Sequence, residues 1–88
     1  MFKLEVLVTL KKDVLDPQGK AIEIAAKNIN LKNIFSVKQN KYFEVFVDKV
    51  PTQNKAKEIA TKLSKSLLAN EVIEDFKIIK CRKVWRLQ

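Results

Sequence analysis

Three places in this 88-residue chain bring together residue types that could do chemistry: Glu74 beside Asp75, Cys81 beside Arg82, and the run Asp16-Pro17-Gln18-Gly19. Adjacent carboxylates in a strand point to opposite faces, so Glu74 and Asp75 cannot act on one proton. Glu71 and Glu74 read as turn termini facing water. Arg82 can lower the pKa of the Cys81 thiol. A nucleophilic thiol also needs a base, and the chain contains no histidine. That absence removes Ser-His, Cys-His and histidine–metal centres together. No catalytic residue, metal ligand or cofactor-binding residue is assigned. The third place has the chemistry of a helix start: Asp16 as N-cap and Pro17 at the first helical position, where its missing N–H costs nothing. Gly19, the only glycine, costs about 1 kcal/mol against alanine inside that first turn. Such a glycine implies close approach by another backbone or a ligand.

Binding chemistry is the other class to weigh. The net charge is +8, yet only Arg82 and Arg86 of the 18 cations are arginine, and the lysines are spread along the whole chain. A nucleic-acid groove concentrates charge and favours arginine for bidentate contacts, so this pattern reads as a solvated lysine coat. Residues 41–47, KYFEVFV, echo the aromatic third strand of RNA-recognition sheets. The glycines of that signature are missing, and Glu44 lies between Tyr42 and Phe46 where a base or phosphate would rest. An RNA-binding module and a small-molecule regulatory domain stay as alternative functions.

The elements that would position these residues follow from periodicity. Phe2, Leu4, Val6, Val8 and Leu10 alternate as a first strand. Ile22, Ala25, Ala26 and Ile29 recur at helical spacing over about 17–30. NIFSVKQ and KYFEVFVD read as two strands meeting near Asn40, a residue that tolerates positive φ. Pro51 and Thr52 break the chain and cap a second helix carrying Ala56, Ile59, Ala60, Leu63 and Leu67. VIEDFKIIKC closes as a fourth strand. The order β-α-β-β-α-β predicts an α+β fold of the ferredoxin-like split type: a four-stranded antiparallel sheet with two helices on one face.

The opposite face of that sheet does not read as polar. Leu7, Tyr42, Phe46 and Ile79 fall opposite the main apolar set and form a candidate subunit interface. Burying about 300 Å² of such surface is worth roughly 7 kcal/mol before association costs, so self-association or capture by a partner is expected. Arg82, Trp85 and Arg86 form a second candidate contact set, since tryptophan and arginine anchor interfaces. No stretch of 18 apolar residues spans a membrane, no signal-peptide cleavage site follows the first strand, and a single cysteine suits a reducing compartment. A cytoplasmic protein is expected.

Longer strings carry more than periodicity does. VTLKKDVLDPQGKAIE at 8–23, NKYFEV at 40–45 and LLANEVIEDF at 67–76 together resemble the PurS family, the small subunits of phosphoribosylformylglycinamidine synthase. The resemblance runs over residues 1–80 as a single domain and leaves 81–88 as a basic C-terminal extension. Asn40 and Glu71 stand where the family pattern has Gly and Pro. The resemblance implies a ferredoxin-like fold and a non-catalytic bridging subunit in de novo purine synthesis. Formylglycinamide ribonucleotide, glutamine and ATP become formylglycinamidine ribonucleotide there. It also implies a large synthase subunit that binds ATP and Mg, a glutaminase subunit, ammonia transfer between them, and a homodimer or dimer of dimers. Asp16, Pro17, Gln18 and Gly19 would be a docking point for the synthase subunit.

Overall fold

The computed structural model describes residues 1–85, so Arg86 of the candidate contact set lies outside the described residues. Strand β1 (Phe2–Leu10) forms as its alternation dictates: Leu4, Val6 and Val8 are buried, while Lys3, Glu5, Leu7 and Thr9 take the other face. β1 is the centre of an antiparallel sheet of order β2-β1-β3, with β2 (Lys41–Val47) and β3 (Glu74–Lys83) as its edges.

Among the described residues the expected four strands are therefore three. Residues 33–39 contain Ile34, Phe35 and Val37 and read as a strand, but they join no ladder. Two of their amides go to carboxylates instead. Val37 N–H donates to Glu23 Oε2 at 2.9 Å and Gln39 N–H to Asp16 Oδ2 at 2.8 Å. With these donors satisfied from a helix, no hairpin forms with β2. The left-handed backbone conformation expected near Asn40 occurs elsewhere, at Asn30 (φ 69°) and Lys49 (φ 57°).

Helix α1 (Pro17–Asn28) starts as expected, with Asp16 as N-cap and Pro17 in its first turn, and Asn30 lies just beyond its end. Helix α2 (Gln53–Leu63) is capped by Thr52, whose hydroxyl accepts the Lys55 N–H at 3.2 Å. A π-helical turn, Ser64–Leu68, then closes the helix: Ala69 N–H reaches back to the Ser64 carbonyl at 2.9 Å. The buried Ser64 hydroxyl returns its proton to the Ala60 carbonyl. Ala56 and Ala60 let α2 sit close over Leu4 and Val47, and Ala69 closes over Val6 and Val8.

Only α2 and its π turn cover the sheet. α1 makes at most marginal contact with any strand, which corrects the expectation of two helices packed on one face. It stands off the end of the sheet as an arm, with residues 33–40 returning alongside it; they are called the return segment below. The dimensions agree. A ten-residue strand spans about 33 Å and a twelve-residue helix about 18 Å. Laid end to end, these account for the 52 Å long axis. The radius of gyration is 16.8 Å, against about 12 Å for a compact chain of this length.

The mixed parity of the last strand also has a cause. Val6 pairs with Ile78 but Glu5 pairs with Lys80, so β3 bulges at Ile79. Phe76 and Ile78 face the helix before the bulge and Cys81 after it. β3 runs on through Lys83, and Val84 N–H is held by the Met1 carbonyl at 2.9 Å.

Candidate functional site

The base of the arm is built around two carboxylates. Asp16 Oδ1 accepts the Gly19 N–H at 2.9 Å, closing the helix cap, while Oδ2 holds Gln39 on the return segment. Glu23, one turn further along, holds Val37 and lies 3.5 Å from the Lys20 ammonium. Gly19 is buried between them because the return segment crosses directly over it. A Cβ at this position would run into the Val37 carbonyl oxygen and approach Asp16 Oδ2 to 2.7 Å. The close approach implied by a glycine in the first turn is thus made by the chain's own backbone. Pro17 and Gln18 remain exposed at the same turn.

These bonds set a pH dependence. The Gly19 N–H, and then the Gln39 N–H, hold the Asp16 carboxyl below its ordinary 3.8. The Val37 N–H does the same for Glu23 below its ordinary 4.5. Folded-state values depressed in this way stabilise the arm above the unfolded pKa. The gain is lost as pH falls through the folded one. Hydrogen-exchange protection of the Val37 and Gln39 amides should accordingly hold at neutral pH and collapse below about pH 4. The amides of β1, which bond to the main chain of β2 and β3 rather than to carboxylates, should stay protected. Equal loss of protection in both regions would contradict the clamp.

The face of the sheet turned away from α2 gathers Leu7, Tyr42 and Phe46, with Ile79 at the bulge beside them. Leu7 is half-buried and opposes Tyr42 across the ladder; Tyr42, Phe46 and Ile79 are exposed. Polar groups stitch this surface together. Tyr42 donates its hydroxyl proton to Glu5 Oε1 at 2.6 Å, which, with desolvation, pushes the phenol up to about 12. Lys3 pairs with Glu44 at 2.6 Å. Glu5 and Glu44 oppose each other at the centre of the face, where they would repel a phosphate backbone. This arrangement disfavours RNA stacking.

The third candidate set divides. Arg82 sits in β3 opposite Lys3, and Trp85, 83% exposed, follows the pinned Val84. Lys77, Lys80 and Arg82 carry no ion pair among the described residues.

Two features escaped sequence reasoning. Glu74, read as a solvated terminus, is 8% exposed: it accepts the Asn70 N–H at 2.8 Å and pairs with Lys41 at 3.1 Å, and the Asn70 N–H holds its carboxyl below the ordinary range. It ties the turn after α2 to the start of β2. Its ion-pair partner Lys41 is distant in sequence, so no local signal marked that pairing. The second is a half-open cleft of about 310 Å³ where the arm meets the sheet, with Val8, Leu10, Val14, Leu15 and Ile73 among its apolar walls. Among the described residues, no three His, Cys, Asp or Glu side chains gather as a metal site. No helix there is long and apolar enough to cross a membrane.

Comparison with known proteins gives one consistent result. The family model for PurS, phosphoribosylformylglycinamidine (FGAM) synthase, matches residues 3–81. A relative from Bacillus subtilis, phosphoribosylformylglycinamidine synthase subunit PurS, is 35% identical over 77 residues, covering 88% of this chain and 89% of its own. The crystal structure of Methanocaldococcus jannaschii PurS, one of the subunits of formylglycinamide ribonucleotide amidotransferase in the purine biosynthetic pathway, superposes with a TM-score of 0.84. It is 34% identical over 97% of this chain and all of that one. The structure of PurLQS from Thermotoga maritima contains a chain matched at a TM-score of 0.68 and 26% identity, over 94% of this chain and 96% of that one.

Proposed function

The chain belongs to the PurS family of FGAM synthase subunits, and from that premise we propose that it acts as a bridge: a non-catalytic subunit that holds the synthase and glutaminase subunits together while ammonia passes between them. PurS is a subunit of FGAM synthase, an ATP-dependent ligase of purine biosynthesis, and works within the PurLQS complex. The observation that carries the bridging role is the arm. Ile22, Ile24, Ile29, Leu31 and Phe35 project there with no core beneath them. Apolar surface of this kind marks a contact site.

The homo-oligomer belongs to the same proposal. The open sheet face with Leu7, Tyr42, Phe46 and Ile79 serves as a subunit interface, giving a homodimer or a dimer of dimers. A ferredoxin-like layer with four strands and two covering helices is completed by a second copy, because the described residues of one chain supply three strands and one covering helix. Pro17 and Gln18, exposed beside the internally engaged Asp16 and Gly19, offer a docking point to the synthase subunit. Arg82, Trp85 and Arg86 extend that contact from the tail. ATP and Mg reside in the synthase subunit and the assembly works in the cytoplasm.

Reconstitution tests the function directly. Omitting this chain from a mixture with its synthase and glutaminase subunits should reduce glutamine-driven turnover of formylglycinamide ribonucleotide at least roughly tenfold, about 1.4 kcal/mol in apparent barrier. Unchanged glutamine-dependent turnover would refute it.

A further inference from the structure

The apolar cleft of about 310 Å³ at the arm's base continues beyond its apolar walls. It shares Leu10, Val14, Asp16 and Asn40 with a second hollow of about 350 Å³, whose remaining walls are Thr9, Lys11, Lys12 and Lys38. One continuous depression thus has an apolar half and a cationic half. We propose that it binds a small phosphate ester carried on a body with apolar faces, the chemical class of the nucleoside monophosphates. The body rests on Leu10, Val14, Leu15 and Ile73, and the phosphate lies between Lys12 and Lys38. This goes beyond the bridging role and does not depend on it.

The positive charge at the cationic end is available to a ligand. Lys11 is paired with Asp75 at 3.0 Å, and Lys41 with Glu74 at 3.1 Å. The ammonium groups of Lys12 and Lys38 make no ion pair or hydrogen bond among the described residues. The acids that line the depression are already committed. Asp16 accepts the Gly19 and Gln39 N–H groups, one on each oxygen, and Glu74 accepts the Asn70 N–H and the Lys41 ammonium. Two uncommitted cations, one after β1 and one on the return segment, therefore border a single hollow. A phosphate monoester carries about −1.5 to −2 charges at neutral pH and has oxygens enough to engage both ammonium groups, which a carboxylate does less well.

Size and placement agree with this occupant. Small-molecule sites hold roughly 300–1,000 Å³ and combine apolar walls with a few placed polar groups. Leu10 and Val14 line both halves, so body and phosphate occupy neighbouring space. Thr9 and Asn40, whose side chains make no hydrogen bond among the described residues, add a hydroxyl and an amide to the polar half. The walls also come from two parts of the molecule. Val8, Leu10 and Ile73 border the sheet, whereas Val14 and Lys38 lie on the two connections to the arm. A bound ligand thus ties the arm to the sheet, where α1 itself makes at most marginal contact.

Titration of the purified chain followed by NMR decides the matter. Adenosine monophosphate should shift the backbone amide resonances of Val14, Lys38 and Asn40 saturably, with a Kd at or below about 1 mM. Lys12→Ala combined with Lys38→Ala should weaken that binding about tenfold or more, with far-UV circular dichroism unchanged. Lys62→Ala combined with Lys65→Ala removes the same net charge away from both hollows and should leave the Kd within about twofold. Inorganic phosphate and adenosine should each bind at least about tenfold more weakly than the nucleotide, because each fills one half of the site. Absence of a saturable shift would overturn the proposal. So would equal losses in the two double variants, or inorganic phosphate binding as tightly as the nucleotide. The synthase and glutaminase subunits are absent from this titration, so its failure and a failure of the reconstitution are told apart.

Discussion

Gly19→Ala should release the return segment from α1 and lower stability by about 2 kcal/mol, although alanine favours the helix. The added methyl meets the Val37 carbonyl, which is backbone and cannot rotate away as a side chain would. Overpacking costs about 1–3 kcal/mol, and an unyielding neighbour puts this site at the upper end; alanine's helix preference returns about 1 kcal/mol of it. The effect should be local. Val37 and Gln39 amides lose exchange protection while β1 retains its own. Gly19→Leu should do the same more severely. The position is thus sensitive through the chain's own packing first, and through any partner only after that. A Gly19→Ala variant that melts at or above the parent's temperature would show that the segments do not approach as closely as the structure has them.

The second large effect is in the sheet. Leu4 is 0% exposed beneath Ala56 and Ala60. Leu4→Ala should cost about 3 kcal/mol, the transfer loss plus an unfilled cavity. In a domain of this size the melting temperature should fall by roughly 10–20 °C, followed by circular dichroism. Three residues along the same strand, Leu7→Ala on the opposite face should cost under about 1 kcal/mol and should act on assembly rather than folding. Equal effects of the two substitutions on the monomer's melting would mean that the open face is packed as a core.

Much of this was legible in residue patterns, and the remainder for identifiable reasons was not. β1 could be read because its central position imposes strict alternation on Leu4, Val6 and Val8. The starts of both helices could be read because Asp16 and Thr52 are caps, and caps act over three residues. The return segment misled because Ile34, Phe35 and Val37 have strand composition, while a strand is defined by a neighbour that composition cannot supply. α1 misled in a related way. Its spacing of Ile22, Ala25, Ala26 and Ile29 announces a face that needs covering, but not that the cover must come from the same chain. The surface set Leu7, Tyr42 and Phe46 was legible as a shared face because β1 and β2 pair without interruption. The tie from Glu74 to β2 was invisible because Lys41 lies far away in sequence.

The bulge at Ile79 has a consequence for comparing lengths across relatives. It is one surplus residue, carried without reversing the strand: removing it would leave Lys80 opposite Glu5, Cys81 opposite Leu4 and Ile78 opposite Val6, as they already stand. In an alignment, a single-residue gap at this position leaves every side chain on its own side of the sheet, whereas the same gap at Val6 would turn over half of β1. Ile79 is therefore where this strand can change length without losing its frame.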